Sequence, residues 1–171
     1  MRSSTEAVNV GVAPWHGLSV ERRDAVRGLA VTPEQAEFAG TVAASITACE
    51  AGDPAHVCGL AILAGGDVAG FVVLKRGAAL PLWAPGPDAV VVSALRIAVA
   101  RQGLGLGTRA LAALRAWVRA HWPEARTLML RVDDGNGAGI RAYEKAGWVE
   151  TGERVHGRVG IERTMVLPIA G

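Results

Sequence analysis

Gln102-Gly103-Leu104-Gly105-Leu106-Gly107-Thr108 follows an apolar run from Ala89 to about Val99, and it opens a stretch in which Leu111, Leu114, Trp117 and Val118 recur at helical spacing. A strand that passes through such a turn into a helix presents unpaired backbone N–H groups at a helix N-terminus, a place that favours an anion. Glycines there admit positive φ and let a ligand approach the main chain closely. The same glycines also suit a plain strand-to-helix connection, so by themselves they leave both readings open. Two phosphate fingerprints fit poorly. A P-loop needs a lysine that is absent here, and a dinucleotide fingerprint needs a third glycine where Thr108 stands. Such fingerprints also follow the first strand of a βαβ unit, whereas this turn follows the fourth strand counted along the chain.

Working outward, Thr127 to Val132 is strand-like, Asp133-Asp134-Gly135-Asn136 is a loop, and Ala138 to Ala146 is a short helix stopped by Gly147. Val149 to Val155 and Ile161 to Leu167 form a last strand pair. Upstream, Val57 to Leu63 and Val68 to Lys75 flank Gly65-Gly66-Asp67 as a β-hairpin. Gly77 to Asp88 is a proline-rich loop. Thr32-Pro33-Glu34-Gln35 has the cap, proline and early acid of a helix start, and one helix is expected from Pro33 to about Glu50. Leu18-Ser19-Val20 is expected to open the first strand. Residues 1–17 are read as a loose lead-in or an added short strand, and residues 18–171 as a single domain. Strands and helices mix in one α/β or α+β unit.

Composition narrows the function. With 171 residues, 18 Lys+Arg against 16 Asp+Glu and half the residues hydrophobic, the chain has one ordinary core and almost no net field. Nucleic acid and anionic membranes therefore have no bulk attraction to it. No apolar run approaches the roughly 20 residues of a membrane helix, and Met1 to Gly17 holds no apolar signal core, so a soluble cytoplasmic protein is expected. Cys49 and Cys58 are read as idle thiols, and the four histidines share no ligand spacing, so no metal is assigned. Glycine, at 22 residues, exceeds its usual share of about 7%.

Gln102, Gly105 and Gly107 match [QR]-x-x-G-x-[GA], and Val132, Asn136, Ile140, Tyr143, Lys145, Gly147 and Trp148 match V-x-x-x-N-x-x-A-[IL]-x-x-Y-x-[KR]-x-G-[FW], with Gly139 in place of the alanine. Together the two blocks resemble the GNAT acetyltransferases. Thr151-Gly152-Glu153 and Val31-x-Pro33-x-Gln35-x-x-Phe38 further look like bacterial spermine/spermidine acetyltransferases. The resemblance implies a mixed, mostly antiparallel sheet of about six or seven strands flanked by helices and splayed between strands 4 and 5. It implies acetyl-CoA as co-substrate, with Leu95 and Ile97 supplying a strand edge to the pantetheine arm and the Ile97 N–H facing the thioester oxygen. Main-chain N–H groups of Gln102, Gly103, Leu104, Gly105, Leu106, Gly107 and Thr108 would hold the pyrophosphate, and Asn136 would orient the loop or bond the pantetheine. Plain packing and loop capping are the alternatives for Leu95, Ile97 and Asn136.

Transfer to an amine needs a neutral nitrogen and an acid for the departing thiolate. The motif assigns the acid to Tyr143, the one tyrosine in the chain. No strand acid follows Asp88 to serve as base, so a water chain is expected. Glu21, Asp24, Glu150 and Glu153 are the acidic candidates for amine binding, with ordinary surface carboxylates as the plainer reading. Arg101 and Arg109 flank the turn and are candidates for the phosphates. Trp83 and Trp148 are read as closing a core edge, with an acceptor pocket as the alternative. The acceptor is expected to be a small amine, with a protein N-terminus or lysine as runner-up. A catalytically idle CoA-binding module and a homodimer are carried as further possibilities.

Overall fold

The computed structural model describes residues 7–170. Residues 1–6 of the expected lead-in lie outside them. Residues 10–17 are not loose. Val10–Pro14 (β1) pairs antiparallel with Val57–Ala64 (β2), and Pro14, which has no N–H to donate, sits on this edge strand where none is needed. Trp15 follows at 1% exposure, edge-on to Phe71 with centroids 6.0 Å apart, and the guanidinium groups of Arg23 and Arg27 lie over its ring. The strand expected at Leu18 does not form. Ser19 instead caps the helix Val20–Arg27 (α1), its hydroxyl accepting from Arg22 N at 3.3 Å, while Leu18 turns into the core.

The expected helix from Pro33 to Glu50 is two helices. Pro33–Ala39 (α2) begins with a full capping box between Thr32 and Gln35, and it ends at Gly40 with φ +74°. Thr41 then caps Val42–Ala51 (α3) through Ala44 N. The apolar periodicity continues across Gly40-Thr41, which concealed the break; a glycine followed by a capping threonine was its signal.

β2 and Asp67–Lys75 (β3) form the hairpin, Ala89–Ile97 (β4) pairs antiparallel with β3, and the turn leads into Leu106–His121 (α4). Thr127–Asp133 (β5), Gly137–Lys145 (α5), Val149–His156 (β6) and Ile161–Pro168 (β7) complete a seven-stranded sheet in the order β1-β2-β3-β4-β5-β7-β6. Alternation along the strands divides the core. Leu60, Val72, Leu74, Val90 and Leu128 face Leu111, Leu114 and Val118 of α4, while Ala61, Phe71 and Val73 face Val26 of α1 and Ile46 and Cys49 of α3.

Two irregularities in β4 shape the site. Between Val73↔Ser93 and Phe71↔Arg96 the register gains a residue, and Ala94 takes φ +54°, a bulge that bends the strand end. β4 also runs parallel to β5 only from Ala89↔Thr127 to Val91↔Met129, and beyond that point the two strands part. Backbone groups of β4 past Val91 are thereby released from β5.

Candidate active site

The parted strands open two clefts that meet. The first, about 440 Å³, is lined by the end of β4 (Leu95, Arg96, Ile97), the glycine turn, α2 and one face of α5. In the turn, Gly103 (φ +74°) and Gly105 (φ +71°) hold a left-handed backbone, and a Cβ on either would project into open space. Gly105 is the N-cap of α4 and supplies no side-chain cap, and the first intrahelical bond is Arg109 N to Gly105 O at 3.2 Å. The N–H groups of Leu106, Gly107 and Thr108 thus point out of the helix start with no partner in the helix. Gly107 faces the Ala142 methyl across the cleft.

Gly103, Gly105, Leu106, Gly107, Thr108, Leu95, Ile97, Asn136 and Tyr143 all line this cleft. Two residues of the turn depart from expectation. The Leu104 side chain is 63% exposed and does not line the cleft, and the Gln102 N–H is spent on Val99 O at 3.3 Å. The Gln102 side chain donates to Ile97 O (3.0 Å) and to Gln35 Oε1 (2.8 Å). Asn136 caps α5, its Oδ1 accepting from Gly139 N at 3.0 Å, and that close contact leaves no room for a side chain at 139. Arg101 lines the cleft with its guanidinium 3.7 Å from Asp67, whereas Arg109 does not line it. Sequence reasoning gave Lys145 only as a motif residue and missed Arg141; both reach the cleft from the α5 face that carries Ala138 and Ala142. Their i, i+4 spacing beside two small residues was the available signal.

The second cleft, about 430 Å³, lies on the other side of the parting, and Phe38, Ala39, Leu95, Asn136 and Tyr143 line both. Tyr143 sits at this junction. Its ring is partly buried against the core with its centroid 5.8 Å from that of Trp148, and the hydroxyl makes no hydrogen bond to another described residue. Burial pushes the phenol up to about 12, so it is protonated and a hydrogen-bond donor throughout the neutral range. Trp148, at 2% exposure, belongs to the core, whereas Trp83 lines the second cleft beneath the Arg131 guanidinium at 4.4 Å.

Of the acidic candidates, Glu21, Asp24, Glu150 and Glu153 line neither cleft. The last two belong to a surface network. Arg154, with Arg163 beside it, holds Glu150 below the usual carboxylate range, and the Thr164 hydroxyl and Arg131 do the same for Glu153. The carboxylates in the second cleft are Asp133 and Glu162, which sequence reasoning passed over as a turn residue and a strand residue. They stand directly opposite each other on β5 and β7. Asp133 Oδ1 accepts from Gly135 N at 2.7 Å, its buried Oδ2 has no partner, and neither carboxylate forms an ion pair with a described residue. Like charges placed so are destabilising within a sheet. Three cations share the cleft: Arg131 is engaged by Glu153, Arg158 donates to Glu37 O, and Lys75 lies at the end of β3. Among the described residues no group of His, Cys, Asp and Glu is placed to hold a metal ion, and no helix is long and apolar enough to cross a membrane.

The model of the Acetyltransferase (GNAT) family matches residues 21–148. No curated protein matches the chain. The fold is similar to that of the aminoglycoside acetyltransferase AAC(6')-Ib solved with coenzyme A (20% identity, 94% of this chain and 95% of that one, TM-score 0.71). It is similar as well to the spermidine N-acetyltransferase of Vibrio cholerae solved with CoA and spermine (14% identity, 94% and 96%, TM-score 0.69) and to the GNAT domain of S. lividans PAT (22% identity, 92% and 89%, TM-score 0.68). With the bulged fourth strand, the parting from β5 and the glycine turn all in place, the family match over most of the chain settles the assignment: the protein belongs to the GNAT acetyltransferases.

Proposed function

We propose that the protein moves an acetyl group from acetyl-CoA to a primary amine of a small molecule, with both substrates bound at once. The observation that carries this reading is the junction: Tyr143 and Leu95 line both the glycine-cradled cleft and the cleft that holds Asp133 and Glu162. Acetyl-CoA supplies the acetyl thioester. The amine nitrogen forms the new bond to the acetyl carbon as the carbon–sulfur bond breaks, the nitrogen loses a proton and the sulfur gains one.

The N–H groups of Leu106, Gly107 and Thr108 hold the pyrophosphate, aided by the dipole of α4, and the absence of a Cβ at Gly103 and Gly105 leaves the room. Arg141 and Lys145 add positive charge along the α5 face. The end of β4, freed from β5, offers Leu95 main-chain groups and the Ile97 N–H to the pantetheine arm, the Ile97 carbonyl being held by Gln35 and Gln102. Tyr143 Oη, protonated and uncommitted, delivers the proton to the thiolate.

On the other side, Asp133 and Glu162 bind the acceptor in its ammonium form, which relieves the charge repulsion between them; the Asp133 carboxylate takes one proton directly or through water to leave the neutral amine, and the second proton, shed as nitrogen bonds the acetyl carbon, returns through water to Tyr143 once its own has gone to sulfur. A cleft of about 430 Å³ suits a small molecule better than an extended peptide. The structural neighbours solved with aminoglycosides or spermine, all amine-bearing, support a cationic acceptor. The test is a thiol-release assay with acetyl-CoA over diamines, polyamines, aminoglycosides and lysine-containing peptides. Release with the small cationic amines and not the peptides is expected, and faster release with peptides contradicts the assignment.

A further inference from the structure

The seven residues of α2 include no buried side chain, so hydrophobic contact is not what fixes this helix over the site. Polar bonds to β4 hold it at both ends. At its C-terminus the buried Arg96 guanidinium donates to Ala39 O (2.8 Å), Gly40 O (3.2 Å) and Ser45 Oγ (3.1 Å), a cation at the negative end of a helix. At its N-terminus Gln35 makes a more consequential joint. Gln35 Oε1 accepts from Thr32 N (3.2 Å) and from Gln102 Nε2 (2.8 Å), while Gln35 Nε2 donates to Ile97 O (3.2 Å). Gln102 Nε2 also donates to Ile97 O at 3.0 Å.

This triangle is closed. Both donor hydrogens of Gln102 are used, both acceptor positions of Gln35 Oε1 are used, and Ile97 O receives two donors, so neither amide can turn over without breaking bonds. It links three parts of the site: the end of β4, the entrance of the glycine turn, and the helix whose Phe38 and Ala39 wall both clefts. We propose that Gln35 is a positioning residue for acetyl transfer, one that locks α2, the glycine turn and the end of β4 into a single arrangement and so couples the order of α2 to cofactor binding. The proposal rests on the first cleft being the acetyl-CoA site. Coupling of this kind is reciprocal: CoA binding must order α2 if the order of α2 favours CoA.

The test compares Gln35→Leu with the wild-type chain. Leucine keeps the size and helix propensity and removes the three bonds of the Gln35 amide, leaving only the bond from Gln102 Nε2 to Ile97 O. Calorimetry with CoA should show about 10-fold weaker binding, equivalent to about 1.4 kcal/mol. Amide exchange of residues 34–39 should slow on CoA binding in the wild type and stay unchanged in the variant. Thr41→Ala, which removes the cap of α3 and lines neither cleft, serves as a control for lost stability and should leave the CoA affinity within about 2-fold. If Gln35→Leu fails to fold, Gln102→Leu breaks the same joint from the other side without touching the capping box and should show the same loss. Unchanged CoA affinity in the joint variants overturns the proposal. An equal loss in Thr41→Ala overturns it too, as does α2 exchange that ignores CoA in the wild type. Failure of the wild-type chain to bind CoA overturns the cofactor reading itself and this inference with it.

Discussion

Glu162→Gln is predicted to make the protein more stable and less active at once. Glu162 and Asp133 occupy directly opposite positions on β5 and β7, with no ion pair to offset their charges among the described residues. Side chains so placed have Cβ atoms about 5 Å apart. Two unit charges about 6 Å apart repel by about 0.7 kcal/mol at the dielectric of water and by about 2.8 kcal/mol at an effective value of about 20. Both residues are partly exposed, so the lower end applies, in line with the 0.2 to 1 kcal/mol range of cross-strand pairs. Glutamine is isosteric and fits beside Gly157, where the glutamate side chain already fills the space. Removing the charge should therefore stabilise the fold by about 0.5 to 1 kcal/mol, or about 2 to 3 °C in Tm for a chain of this size. The gain should shrink in 1 M salt. Over the same substitution kcat/KM for the amine should fall about 10- to 100-fold, mainly through KM, because a hydrogen bond to a charged partner contributes about 1.5 to 3 kcal/mol. Differential scanning calorimetry at pH 7 and thiol-release kinetics over a range of amine concentrations give both numbers. A drop in Tm together with an unchanged amine KM would refute the reasoning, since the pair would then be a structural feature with no role in acceptor binding.

Tyr143→Phe should lower kcat by about 100-fold or more while Tm changes little, because the ring contact with Trp148 survives and the lost hydroxyl leaves no partner unpaired; steady-state kinetics and a melting curve check both halves. The phenol is raised in the fold above its unfolded value, so its contribution to stability is complete below about pH 10 and is lost as pH rises toward about 12. The phenylalanine variant should accordingly lose less stability than the wild type on alkaline titration. Gly105→Ala should cost about 1 kcal/mol for the left-handed backbone and raise the acetyl-CoA KM at least 10-fold, since the added methyl enters the space left for the ligand. Burial pushes the thiols of Cys49 and Cys58 up to about 11, so a thiol reagent at pH 8 should count none in the native chain and two after denaturation.

Local chemistry made much of this fold legible in sequence. The hairpin at Gly65-Gly66, the cap at Thr32 and the turn into α4 each carry their own signal within a few residues, and each lies where that signal put it. The errors arose where local signals competed. Ser19 stands between Leu18 and Val20 as in a strand, yet its hydroxyl caps α1; apolar spacing continues across Gly40, yet its positive φ ends α2. The cofactor side of the site was legible through motif residues contiguous in the chain. The carboxylate pair of the second cleft was not, since Asp133 and Glu162 become neighbours only through the pairing of β5 with β7, a register no local pattern announces. The same holds for the Gln35, Gln102 and Ile97 joint, whose members come from three separate elements.

Acetyl transfer from acetyl-CoA to a small amine through Tyr143 is open to one direct test. Purified wild-type chain and Tyr143→Phe, each given acetyl-CoA and a mixture of diamines, polyamines and aminoglycosides, should be followed together by thiol release and by mass spectrometry of the amines. One thiol released per acetylated amine is expected in the wild type, and a rate at least about 100-fold lower in Tyr143→Phe with CoA binding retained. Equal rates in the two proteins, or no acetylated amine from a wild-type chain that binds CoA, would contradict it.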